Sequence, residues 1–273
     1  MIVQQPFIRD SIGETLLIPL YMKYLEAQCL DPILYDKSAV ELVGKINYDF
    51  SKFNTAVNSA VGVAIRARYF DKLLVSFIEN NPMPIIVIVG CGLDSRYERI
   101  GSKADAAIFY QLDIPEVMHI RDQLIPSHEN ETYLSASMLD TFWMDKLGSK
   151  HPCGQFLFII EGVLMYFEEE EVRTVFQHLA QRFPKGELLF DIVGEWMRDH
   201  SHLHDTVKFM NAGFKSGTDD CHKMECWADN LEFVSSRFYT DFEEWKRTGF
   251  WGWFMQVVPM YRNSGRLLHY RIN

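Results

Sequence analysis

Gly90 and Gly92 follow a β-branched run at residues 85–89, and Asp113 ends a second strand-like run at 109–113. Glycines at the carboxyl end of a strand let the main chain turn sharply and come close to a ligand, and a continuous apolar run suits a strand buried on both faces. A carboxylate at the end of the next strand can accept from the vicinal hydroxyls of a ribose. Together they predict a nucleotide-type cofactor site. Each also has a plainer reading: glycines often only close a strand-to-helix turn, and Asp113 can cap the helix that Pro115 opens.

Ser95 stands where the dinucleotide pattern Gly-x-Gly-x-x-Gly has its third glycine. That glycine lets the following helix pack close, so that its amino terminus holds a pyrophosphate; its absence argues against a dinucleotide. S-adenosylmethionine carries no phosphate. It asks for close backbone approach to its amino-acid part, an acid for the ribose, a cation for its carboxylate and an apolar slot for adenine. The glycine turn and its neighbours offer candidates for each. An NAD(P)-dependent oxidoreductase and a non-catalytic S-adenosylmethionine-binding protein are the alternatives.

The 273 residues, 48% apolar and 14% aromatic, are ample for one large core. A formal net charge of -10, with no basic run, would repel a phosphate backbone, so no nucleic acid partner is expected. The five cysteines are an odd number without Cys-x-x-Cys spacing, as in a reducing compartment. Residues 1–6 show no basic region leading into an apolar core, and no apolar run is long enough to span a bilayer. The expectation is a cytoplasmic protein without a membrane partner.

Stepping outward, residues 14–29 and 57–80 have helical periodicity, and the first eighty residues read as helices. Strands are expected at 85–89, 107–112, 132–135, 156–160, 187–192, 231–239 and 266–271. The clearest helix between them is 168–183, with an acidic first turn and Pro184 behind it. Such alternation predicts an α/β fold, a mostly parallel seven-stranded sheet with helices on both faces and ligands at the carboxyl ends of its strands. Residues 196–229, rich in His, Gly and polar side chains, interrupt it after the fifth strand, as a lid-like insertion or a surface excursion. One domain is expected: a helical cap and entry helices at 1–80, a cofactor-binding core at 85–195, the insertion at 196–229, and closing strands and helix at 230–273.

Six segments together carry a resemblance: Thr15-Leu16-Leu17-Ile18-Pro19-Leu20, Asp31-Pro32-Ile33-Leu34-Tyr35-Asp36, Arg66-Ala67-Arg68-Tyr69-Phe70-Asp71, Gly90-Cys91-Gly92-Leu93-Asp94-Ser95-Arg96, Leu112-Asp113-Ile114-Pro115-Glu116-Val117 and Glu161-Gly162-Val163-Leu164-Met165-Tyr166. Over nearly its whole length the chain resembles the class I S-adenosylmethionine-dependent methyltransferases of the leucine carboxyl methyltransferase and polyketide O-methyltransferase (tetracenomycin-type) group. The resemblance implies a Rossmann-like sheet ending in a reversed hairpin, with a helical cap and an insertion covering the acceptor pocket. It implies methyl transfer from S-adenosylmethionine, leaving S-adenosylhomocysteine, to a carboxylate or hydroxyl of a small-molecule, polyketide-like or peptide acceptor, without a metal.

Arg66 falls on a helical stripe with Phe70, Leu73, Leu74 and Phe77, where a charge needs an anion. The resemblance implies that Arg66 holds the cofactor carboxylate. Its plainer readings are a pair with Asp71 or a snorkelling surface residue, and Arg68 is the second candidate. Gly90 and Gly92 would approach the amino-acid part, and Asp113 the ribose. For adenine the group often has an acid followed by an apolar residue where this chain has Ser137 and Met138. The Ser137 hydroxyl would accept from the adenine amino group and Met138 pack on the ring, with Asp140 as compensation for the missing charge. Glu161 ends its strand facing the expected place of the methyl group and resembles the group's cofactor-contacting glutamate; its plainer reading is a helix-entry acid. Tyr166 could line the acceptor pocket.

A carboxylate acceptor needs no base, whereas a phenol or enol does. The chain offers His200, His202 and His204, besides His119 and His222, and sequence alone assigns none of them. The spacing of His200, His202, His204 and Asp205, with Cys221, His222 and Cys226 following, also invites a metal reading, which helical and loop character disfavours. Trp251, Trp253, Phe254 and Met255 look like an aromatic belt expected to pack beneath the sheet.

Overall fold

Ile85, Val87 and Val89 join one apolar cluster while Ile86 and Ile88 join another, so the first strand is buried on both faces. The same period-two division runs through Phe156, Phe158 and Ile160 against Leu157 and Ile159. Such strands demand helices on both sides of the sheet. The computed structural model, which describes residues 14–273, supplies them. Residues 1–6 of the sequence reading lie outside the described residues.

Seven strands form the sheet: β1 (Pro84–Val89), β2 (Ile108–Asp113), β3 (Glu131–Ser135), β4 (Gln155–Ile160), β5 (Glu187–Val193), β6 (Leu231–Phe238) and β7 (Gly265–Ile272). Their spatial order is β3-β2-β1-β4-β5-β7-β6. The first five are parallel, and β7 is antiparallel to both β5 and β6, which gives the reversed hairpin. The order reverses between β1 and β2 on one side and β4 on the other, so a crevice opens at the carboxyl end of β1.

Ten helices accompany the strands among the described residues: α1 (Leu17–Ala27), α2 (Lys37–Val43), α3 (Val57–Asn80), α4 (Arg96–Ile100), α5 (Pro115–Leu124), α6 (Phe142–Lys150), α7 (Glu169–Arg182), α8 (Glu195–Asp199), α9 (Phe250–Val257) and α10 (Pro259–Arg262). Glu168 and Glu171 form a reciprocal capping box at the start of α7, the local reason that a run of four glutamates begins a helix. Trp143, Met144 and Leu147 of α6 and Val172, Phe176 and Leu179 of α7 cover one face of the sheet. Phe70, Leu74 and Phe77 of α3 cover the other.

Helix α3 does two jobs. At 24 residues it is about 36 Å long. Its carboxyl half packs on the sheet, and its amino half, with Ser59, Gly62, Val63 and Arg66, faces a cavity above the strand ends. A separate cluster of Leu17, Leu20, Tyr21, Leu42, Phe53 and Ala56 joins α1 and α2 to Val117, Ile120 and Leu124 of α5, so the helical cap is moored on the core.

One expectation needs correction. The aromatic belt does not pack beneath the sheet: α9 lies across the cavity, with Phe254 and Met255 lining it while Phe250 and Trp253 are exposed. Trp251 has a side chain outside the described set. Residues 196–229 run through short helical turns and loops, and several of their residues line the cavity.

Candidate cofactor and acceptor site

Gly90 and Gly92 take φ of +66° and +48°, a region that L side chains rarely adopt. A Cβ on Gly90 would stand 2.3 Å from Val163 Cγ2, and one on Gly92 would stand 3.2 Å from Leu16 Cβ. Conformation favours glycine at both positions, and space does so at Gly90 as well. The turn donates inward: Gly90 and Cys91 N–H both to Leu112 O, at 2.8 and 3.0 Å, Gly92 N–H to Asp113 Oδ2 at 2.8 Å, and Asp94 N–H to Cys91 O at 2.9 Å.

This pattern decides between ligands. A pyrophosphate binds to main-chain N–H groups at a turn and helix start. Here those four N–H groups are already used, and α4 behind them has only five residues. Ser95, in the third-glycine position, donates instead to the buried carboxylate of Asp36, at 2.8 and 2.7 Å, and so clasps the turn to the cap. A phosphate-free ligand fits this turn, and a dinucleotide does not.

Asp113 holds the turn and faces the cavity. Its Oδ1 accepts from Ile114 N–H at 2.8 Å, just ahead of α5, while the side chain also lines the cavity. Ile114, Leu112, Ala136 and Met138 continue the wall, an apolar slot beside the acid. Ser137 lines it too, but its hydroxyl accepts from Leu139 N–H at 3.2 Å. Asp140 does not line the cavity. Its Oδ2 caps Ser137 N–H at 3.2 Å, so it offers no replacement for the missing adenine-binding acid.

Arg66 meets Glu161 and Asp191, not Asp71. Its Nε donates to Glu161 Oε1 at 3.0 Å and its Nη1 to Asp191 Oδ2 at 2.6 Å, and Gly162 N–H gives Asp191 Oδ1 a second bond at 2.6 Å. Asp71 is occupied by Arg96 and Arg99. Arg68 points elsewhere, to Glu244 at 2.6 Å, and is no carboxylate-binding candidate. Arg96 bonds the second oxygen of Glu161, so that carboxylate lies between two guanidinium groups. Burial works against charge on Glu161, yet Arg96 and Arg66 hold its carboxyl below the usual range. Burial also opposes the charge of Arg66, but Asp191 and Glu161 keep it firmly protonated. At Asp191 burial prevails over the arginine and the carboxyl is raised.

Sequence reasoning missed Lys23, Asp94 and Asp191. Lys23 is 4% exposed, lines the cavity, and pairs with Asp94 at 3.0 Å. The signal was present, a lysine among the apolar residues of α1, but its partners lie in distant segments. Arg99 joins Asp36, Asp71 and Asp94 in the same network. Lysine and arginine charges thus alternate with carboxylates beneath the glycine turn, a setting that suits a zwitterionic ligand end.

The cavity has a volume of about 1040 Å³ and continues past the glycine turn into a chamber walled by Trp196, Met197, Phe214, Phe254, Met255 and Tyr261. Tyr166 lines it beside Phe214, and burial pushes its hydroxyl up to about 12. Of the histidine cluster only His204 lines this space; His200 stacks on Trp196 at 4.7 Å, and His202 is exposed. Among the described residues no group of three or more His, Cys, Asp or Glu is placed to hold a metal ion. None of the described helices is long and apolar enough to cross a membrane.

The family model of leucine carboxyl methyltransferase matches residues 4–180. A tetracenomycin polyketide synthesis O-methyltransferase of Streptomyces glaucescens is 28% identical over 269 residues, covering 95% of this chain and 96% of the relative. An S-adenosyl-L-methionine-dependent methyltransferase of Gibberella zeae is 25% identical over 283 residues, covering 93% and 92%. Among solved structures, a domain-of-unknown-function family protein from Streptomyces avermitilis superposes with a TM-score of 0.61 at 12% identity, covering 97% of this chain and 100% of its own. A proposed methyltransferase from Thermobifida fusca gives 0.57 at 14%, covering 92% and 94%.

Proposed function

Because this chain belongs to the leucine carboxyl methyltransferase family and is an S-adenosylmethionine-dependent methyltransferase, we propose that it transfers the methyl group to an oxygen, the carboxylate or hydroxyl of a small, largely apolar acceptor. The observation that carries this reading is the continuity of one cavity from the glycine turn and Asp113 to the aromatic chamber under residues 196–214. The polyketide O-methyltransferase relative supports transfer to oxygen.

In this reading Gly90 and Gly92 admit the amino-acid part of the cofactor, Asp113 accepts from the ribose hydroxyls, and Met138 packs on adenine beside Ser137. Arg66 and Lys23 supply positive charge for its carboxylate, and Glu161 accepts from its ammonium. When bound, the cofactor supplies a methyl group already activated by its positive sulfur. The protein's contribution is alignment of acceptor oxygen, carbon and sulfur in line within the cavity. In that transfer an oxygen–carbon bond would form as the carbon–sulfur bond breaks, with its electron pair staying on sulfur.

The test is calorimetric titration with S-adenosylhomocysteine, with NADH as control, followed by turnover against a panel of acids and phenols. Tight binding of S-adenosylhomocysteine alone, with methylation of an oxygen acceptor, is expected. Binding without turnover across the panel would leave a cofactor-binding protein, and methylation at nitrogen or carbon would overturn the oxygen assignment.

A further inference from the structure

Residues 204–208 cross the cavity above α3, and their polar groups hold each other in one arrangement. The carboxylate of Asp205 accepts from Ser59 twice, from its hydroxyl and from its N–H at 3.2 Å. Thr206, wholly buried, stands 3.4 Å from Ser59 Oγ and 3.1 Å from His204 Nδ1. The main-chain N–H groups of Thr206 and Val207 both point at the same Nδ1, each at 3.4 Å.

Those contacts assign the tautomer. A main-chain N–H can only donate, so Nδ1 must be an acceptor, and the proton of the neutral ring sits on Nε2. Nδ1 is the back of the ring, turned into its own loop. The ring lines the cavity, meets Phe214 edge to face at 5.7 Å, and makes no hydrogen bond through Nε2 to any described residue. A proton on Nδ1 would face two N–H donors. Burial, Arg66 on α3 and Lys208 on the loop also oppose a charged ring, and only Asp205, with Oδ1 at 3.7 Å, favours one. Asp205 already spends its oxygens on Ser59.

We propose that His204 Nε2–H donates a hydrogen bond to the acceptor oxygen and is not the base that deprotonates it, so that the acceptor enters the chamber already as an anion. This rests on the methyltransferase reading of the same cavity. A donor on one lone pair fixes the oxyanion and leaves another directed at the methyl group. An anionic oxygen becomes neutral when the oxygen–carbon bond forms, and no proton has to leave. The acceptor is thereby an ionised acid, or an enol or phenol acidic enough to ionise in solution, carried on an apolar body that matches the aromatic wall.

Two measurements test this on the protein loaded with S-adenosylhomocysteine. Nitrogen NMR of the His204 ring at neutral pH should show an unprotonated Nδ1 and a protonated Nε2; the opposite tautomer, or an imidazolium, overturns the proposal. Calorimetry with 2-naphthoate and 2-naphthol as probes then compares wild type, His204→Ala and His204→Gln. Naphthoate should bind more tightly than naphthol, lose about tenfold in His204→Ala, and recover most of it in His204→Gln, whose amide N–H reaches the Nε2 position. Naphthoate binding that is no stronger than naphthol binding, or that ignores the alanine substitution, overturns the assignment. Failure of the wild type to bind S-adenosylhomocysteine would overturn the methyltransferase reading instead.

Discussion

Arg66 and Asp191, 125 residues apart in the chain, meet through a 2.6 Å bond between Nη1 and Oδ2 that ties the entry helix to the end of the fifth strand. Their side chains are 10% and 3% exposed. Glu161 completes the arrangement from the end of the fourth strand, so one guanidinium joins three elements around the cavity floor.

Breaking a buried pair by deleting one partner costs about 3–5 kcal/mol, because the other charge is left uncompensated. Arg66→Ala should therefore lower the stability of the ligand-free protein, as well as weaken S-adenosylhomocysteine binding. Arg66→Lys, a point charge unable to bridge both carboxylates, should fall between. Urea unfolding without ligand checks this, and an unchanged midpoint for the alanine variant would sink the structural half of the argument.

Gly90→Ala places a methyl group where Val163 Cγ2 already stands, on a backbone with φ of +66°. The conformation alone costs about 1–2 kcal/mol. The variant should melt at lower temperature and bind S-adenosylhomocysteine poorly. Gly90→Ala with Val163→Ala removes the clash but not the backbone strain, so thermal melts of the pair should show partial recovery; complete recovery would mean that space alone mattered.

Asp113→Asn keeps an oxygen for Gly92 or Ile114 but removes the charge and adds two donors. A hydrogen bond to a charged group is worth about 1.5–3 kcal/mol, so S-adenosylhomocysteine affinity should fall roughly 10- to 150-fold. Adenine alone should be much less affected. Competition titrations would separate the two, and equal losses for both ligands would move Asp113 out of the ribose role.

Acid should unfold the protein in two stages. Burial depresses the pKa of His204, so below about 6.5 the unfolded chain takes up a proton that the native ring refuses, and stability falls as pH drops. Asp36, Asp94 and Glu161, although buried, are held low by lysine and arginine partners, so the stability they contribute is present above about 4 and lost as pH falls further. Asp191 is raised and acts in the opposite direction. Melting curves from about pH 3 to about pH 8 should show a first decline that is smaller in His204→Gln than in wild type, the remainder coming from His151, which burial lowers in the same direction. A first decline undiminished in the glutamine variant would assign it wholly to other groups.

Strand positions, the glycine turn and the acid after it were legible because they are local: a run of β-branched residues, a turn that only glycine can make, and a carboxylate one strand on. The reading placed every strand of the sheet within a residue or two of its observed ends, and Arg66, Gly90, Gly92, Asp113, Ser137, Met138 and Glu161 all line one cavity. What decides the partners of those residues is not local. Asp191 sits in a run that reads only as a strand, and Ser95 reads only as a missing glycine, until the fold brings Arg66 and Asp36 against them. The aromatic residues near 253 looked like core because periodicity records apolarity without saying which surface covers it. For His204 the spacing of three histidines suggested a cluster, while the tautomer depends on two main-chain N–H groups whose direction exists only once the loop has closed over the third helix. Sequence fixed which chemistry each segment carries; long-range packing, by pairing charges and aiming donors, decided which of those groups face the ligand.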